Sequence, residues 1–112
     1  MKSLVCIMLL MLSLEVNAET AVCTGDVSHL AYHAPDGLYL AIGDSAIFKV
    51  CSPENQYHRT SAGNCKFIAS LATTARVTGK QLQVYIDNAP TTSCSDITPW
   101  FGADVRFVEL KQ

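Results

Sequence analysis

The chain has 112 residues and a formal charge of −2, from eight Lys or Arg against ten Asp or Glu. That length holds one small domain and no more. Without a basic surplus there is nothing to neutralise phosphates, so composition speaks against nucleic-acid binding.

The first segment reads as an export signal. Lys2 is a short positive region, Leu4 to Leu14 is an apolar run, and Val16-Asn17-Ala18 has the form of a cleavage site. Residues 1–18 are therefore expected to be a signal peptide, and 19–112 a single mature domain. The apolar run is too short for a spanning helix, which takes about 20 apolar residues. No later segment is long enough either, so no membrane span is expected once the signal is removed. Thr20-Ala21-Val22-Cys23 does not offer the small residue that a lipidation site needs just before its cysteine. The mature part keeps seven Lys or Arg and nine Asp or Glu, and stays mildly acidic.

Cys6 leaves with the signal. Cys23, Cys51, Cys65 and Cys94 remain, an even number in an exported domain, which favours disulfides over a zinc site. No pair has the close spacing of a zinc knuckle. Four cysteines allow three connectivities. Cys51–Cys65 with Cys23–Cys94 is the expected set: the first closes a polar loop, and the second ties the N-terminal segment to a late loop.

Glu19 to Asp26 reads as a polar lead. Val27 to Ile42 reads as a hairpin around Pro35-Asp36-Gly37, with Leu30 and Tyr32 alternating on one arm and Leu38, Leu40 and Ile42 on the other. Ala46 to Cys51 is a third strand, and Ser52 to Gly63 a polar loop. From Asn64, expected as the helix cap, Phe67, Ile68, Leu71, Ala72 and Ala75 recur at helical spacing. Thr78-Gly79 stops that helix. Leu82, Val84 and Ile86 then alternate as a fourth strand. A loop to Pro99 ends in Trp100-Phe101. Val105 to Leu110 is the last strand, with Val105, Phe107 and Glu109 on one face and Arg106, Val108 and Leu110 on the other. Its two partly apolar faces suit a strand inside a closed sheet. The order is β-β-β-α-β-β, that of the OB-fold, a five-stranded barrel. An α+β meander, with the helix across an open sheet, is the alternative.

The pattern Cys51…Cys65, an alanine-rich helix, then Thr78-Gly79-Lys80-Gln81-Leu82-Gln83-Val84-Tyr85-Ile86 resembles the B subunits of pertussis-like and subtilase-type AB5 toxins. Thr24-Gly25-Asp26 is similar as well. The resemblance implies an exported OB-fold, glycan binding, and a homopentameric ring working with a separate catalytic subunit. The alanine-rich run Ala69 to Ala75 replaces the aromatic-rich helix of those subunits, and no glycan-binding residue carries over.

Catalytic signatures are missing from the sequence. There is no Gly-x-Ser-x-Gly elbow, His-Glu-x-x-His or paired-carboxylate motif, so no enzyme activity and no cofactor are expected. His29 and His33 lie four apart on one face, but no third metal ligand is evident, and two exposed polar residues are the plainer reading. Tyr32, Tyr39, Trp100 and Phe101 are the candidate ligand-binding residues, since aromatic faces stack on sugars and anchor protein interfaces. The expected function is a secreted or periplasmic non-enzymatic binding domain that recognises cell-surface glycans. The alternative is a monomeric periplasmic accessory or inhibitor protein that binds a partner protein.

Overall fold

The computed structural model describes residues 18–34 and 36–112. The expected signal peptide, apart from Ala18, lies outside the described residues, as does Pro35 of the expected turn. The elements are β1 (Glu19–Gly25), β2 (Val27–His33), β3 (Gly37–Ile42), β4 (Phe48–Cys51), α1 (Ala62–Thr78), β5 (Gln81–Ala89), a 3-10 turn at Cys94–Asp96, β6 (Phe101–Gly102) and β7 (Val105–Lys111).

Among the described residues, strand pairing closes no barrel. β1, β5 and β7 form a three-stranded antiparallel sheet in the order β1-β5-β7. A second sheet has the order β2-β3-β4-β6, with β6 parallel to β4. Among the described residues the two-residue β6 pairs only with β4, and β7 only with β5, so no ladder joins the sheets. This overturns the five-stranded OB-fold barrel and favours the open α+β meander. The expectations of a toxin B subunit, an AB5 ring and glycan binding leaned on the closed barrel and lose that support.

The polar lead is a strand. In β1, Ala21, Cys23 and Gly25 are buried in alternation, and the strand pairs with β5 from Glu19↔Ala89 to Gly25↔Leu82. Its inward set is made of small residues, so the alternation carries little hydrophobic contrast. The chain then passes at Asp26 from one sheet to the other.

The cap of α1 lies three residues before the expected one. Ser61 is the N-cap, in extended conformation, and its Oγ accepts from the Asn64 N–H at 3.1 Å. Gly79 ends the helix at φ 74°, a left-handed conformation that costs a residue with a Cβ about 1 kcal/mol or more. The buried face is Cys65, Ile68, Ala72 and Ala75. Phe67 is not on it: lying one residue, about 100°, around the helix from Ile68, it is 66% exposed. The small alanines let the helix lie close to the strands. At its far end Arg76 donates to the carbonyls of Val27 at 2.8 Å and Ser28 at 2.9 Å, which fixes α1 against β2.

Phe48, Leu40, Ile42, Leu82, Ile86, Val50 and Val84 form the fully buried centre with the cysteines. Each such side chain contributes about 1.5–3 kcal/mol by leaving water. Two disulfides frame this core. Cys23–Cys94 ties β1 to the 3-10 turn, and Cys51–Cys65 ties β4 to the first turn of α1. Two disulfides call for an oxidising compartment. Among the described residues no helix is long and apolar enough to cross a membrane.

β7 is a terminal strand of its sheet, not an enclosed one. Its faces also differ from the expected alternation. The register shifts between Tyr85↔Phe107 and Ile86↔Val105, leaving Arg106 as the extra residue of a bulge. Val105 is buried while Phe107 is 49% exposed, and Val108 and Leu110 pack against the core.

Candidate functional site

Two surface depressions bring together side chains from three or more segments of the described chain. The first is a groove between α1 and β7, about 280 Å³ in volume. Asn64, Phe67, Ile68 and Leu71 follow helical spacing along one wall, and Val105 to Val108 form the other. Because β7 ends its sheet, one of its backbone edges has no strand partner among the described residues. Exposed Phe67 stands on the helix wall, whereas the Phe107 ring packs edge-to-face on its strand partner Tyr85 at 5.4 Å, on the outer face of the sheet.

One end of the groove is set by ion pairs. Tyr57 and Thr60 exchange backbone hydrogen bonds at 2.9 and 3.0 Å, closing a tight turn over His58-Arg59 in which His58 takes φ 50°. The turn aims Arg59, whose guanidinium donates to both carboxylate oxygens of Asp104, at 3.1 and 3.0 Å. It also reaches Asp87 at 3.1 Å. Arg106 approaches the same Asp87 at 3.3 Å. The hydrogen bonds from Arg59 hold the Asp104 carboxyl below the ordinary carboxylate range, against the opposing effect of burial. The fork raises Arg59 in turn. Asn88 secures the strand link behind them, donating to the Gly102 carbonyl at 3.0 Å and accepting from the Asp104 N–H at 2.7 Å.

The second region lies on the outer face of the four-stranded sheet. Tyr39 points outward from β3, and Trp100 stands edge-to-face against it at 5.4 Å and 71°. His33 meets the same tyrosine at 6.2 Å and 78°. Burial raises the Tyr39 phenol, with the Asp36 carboxylate adding to the shift. His33, Asp36, Tyr39 and Trp100 line a depression of about 300 Å³. Next to it Lys49 lies 4.2 Å over the Tyr57 ring. A Cβ at Gly102 would collide with the Tyr57 hydroxyl, so glycine lets that ring lie across β6.

The four candidate ligand-binding residues do not form one platform. Tyr39 and Trp100 meet. Tyr32 pairs with Leu38 whereas Tyr39 pairs with Ala31, which puts the two tyrosines on opposite faces of the hairpin. The Tyr32 hydroxyl instead donates to Glu54 at 2.9 Å, and that bond leads its upward pKa shift. Phe101 pairs with Phe48 and packs against the core, while Trp100 before it is 62% exposed.

Sequence reasoning missed the groove. Phe67 reads as core because it sits inside the apolar stripe. Phe107 reads as sharing a face with Val105 because an alternation count cannot see a bulge. Arg59, Asp87 and Asp104 are far apart in the chain, and no local signal joins them. Among the described residues no three His, Cys, Asp or Glu side chains come together as metal ligands. No family model, no curated protein and no solved structure matches the chain.

Proposed function

We propose that this chain is a monomeric, non-enzymatic accessory or inhibitor protein of the periplasm or cell exterior that binds a partner protein through the α1–β7 groove. The observation that carries this reading is exposed Phe67 on the wall of a groove bounded by a terminal strand. An exposed strand edge beside apolar contacts is the arrangement that accepts an extended segment of another protein: backbone hydrogen bonds supply affinity, and side-chain pockets supply selectivity. Exposed Phe67 on the helix wall supplies a large aromatic anchor. The Arg59–Asp104–Asp87–Arg106 group forms a polar rim at one end.

The test uses oxidised protein as bait in a cell-envelope extract, with Phe67→Asp bait in parallel. A partner retained by the wild type, purified and titrated back, should bind saturably at one to one. Phe67→Asp should weaken it at least about tenfold, the loss of one anchor. Equal binding by both baits removes the groove from the reading. A ring-sized oligomer in sedimentation would contradict the monomeric part.

A further inference from the structure

The depression beside Trp100 sits on a backbone that the fold alone does not favour. Thr98-Pro99-Trp100-Phe101 is closed by a hydrogen bond from the Phe101 N–H to the Thr98 carbonyl at 3.3 Å. Proline is second in this turn, and the third residue takes φ 67°. Positive φ at the third position is the mark of a type II turn, where glycine is the favoured residue. Here a tryptophan holds it, at a cost of about 1–2 kcal/mol. The Trp100 N–H donates to the Ile47 carbonyl at 2.7 Å, which fixes the strained residue to the lead-in of β4. Strain retained in a non-glycine residue is a recurrent property of binding sites. Its effect here is to stand an exposed indole against Tyr39.

The chemistry of the depression is specific. Two aromatic rings meet near a right angle, His33 adds a third, and Asp36 is the one anionic side chain in the lining. Ring faces attract cations through their quadrupole, and a carboxylate beside them adds direct charge attraction. The same sheet face already holds a cation in this manner, since Lys49 lies over Tyr57. The volume suits a small charged group and the first atoms of its chain.

We infer that the corner formed by Tyr39, Trp100, His33 and Asp36 is a receptor for an organic cation, a guanidinium or alkylammonium group. Trp100 and Tyr39 supply the walls, and Asp36 supplies the countercharge. The site is separate from the α1–β7 groove and does not depend on a partner filling that groove.

Trp100 is the chain's single tryptophan, so its emission reports on this corner directly. The oxidised protein is titrated with tetramethylammonium, N-acetyl-arginine amide and N-acetyl-lysine amide at constant ionic strength. tert-Butanol and N-acetyl-leucine amide serve as neutral counterparts. The expected result is a saturable emission change with the cations and none with the neutral probes. Asp36→Asn should weaken it about tenfold while the circular dichroism stays unchanged. Tighter binding of the arginine or lysine amide supports a side-chain ligand; tighter binding of tetramethylammonium supports a small quaternary ammonium. Cations without effect, neutral probes acting equally, or an undiminished response in folded Asp36→Asn overturn the inference. Phe67→Asp should leave these titrations unchanged, so failure here is distinguishable from failure of the groove.

Discussion

The groove and the aromatic corner achieve exposure by different means. The groove is assembled from a regular helix and a strand whose one irregularity is a bulge. Its aromatic, Phe67, is exposed because it lies about 100° around the helix from the buried Ile68. The corner depends on a turn that holds Trp100 in the left-handed region. Each region also has its own covalent anchor. Cys51–Cys65 secures the helix wall of the groove, and Cys23–Cys94 secures the segment that leads to Trp100. The contrast teaches that an exposed aromatic has different meanings in the two settings. On regular structure it costs the fold little, whereas on a strained turn it marks a position where stability has been given up.

The largest effects should come from the anchors. In the chain-entropy model, closing the 71-residue separation of Cys23–Cys94 is worth roughly 4 kcal/mol, and the 14-residue separation of Cys51–Cys65 about 3 kcal/mol. Paired serine substitutions followed by denaturant unfolding should rank the bridges in that order. Hydrogen exchange should separate them in space: Cys51→Ser/Cys65→Ser loosens the first turn of α1, and Cys23→Ser/Cys94→Ser loosens the segment through Trp100. Loss of protection in the same residues for both pairs would erase the distinction.

A smaller effect should follow from the rim of the groove. Asp104 has a folded pKa below its unfolded one, so it stabilises the fold above the ordinary carboxylate range of about pH 4. That stability is lost as pH falls through the lower folded value. Asp104→Asn should therefore lower the melting midpoint by a few degrees near neutral pH. The gap to the wild type should close in acid. A gap that persists at low pH would mean that the Arg59 fork is not its source.

The smallest effect should belong to the corner. Trp100→Gly removes a strained φ worth about 1–2 kcal/mol and an aromatic pair worth about 0.5–1.5 kcal/mol. The two nearly cancel, and thermal unfolding should shift by less than about 1 kcal/mol. A large loss of stability would make Trp100 a structural cover and remove the argument from strain.

Local signals carried much of the fold. The hairpin of β2 and β3, the helix with its Gly79 stop, and the alternation of Leu82, Val84 and Ile86 are visible because each follows one period over several residues. β1 is hidden because alanine, cysteine and glycine give its buried face little contrast. Closure was misread because element order says nothing about pairing, and β6 is too short to link β4 with β7. Of the candidate aromatics, the sequence singles out Tyr39 and Trp100 one by one, but their meeting was not legible, because the two are far apart in the chain. The groove was illegible because it depends on rotation around a helix and on a bulge.

The account's central claim is that a partner protein lies along α1 and the free edge of β7. Hydrogen exchange of the oxidised protein, free and saturated with its purified partner, tests this most directly. The account predicts new protection in the amides of Val105 to Val108 and in the Asn64 to Leu71 turns of the helix, with residues 98–101 unchanged. Protection confined to residues 98–101 and the β2–β3 turn, or no change along β7, would contradict it.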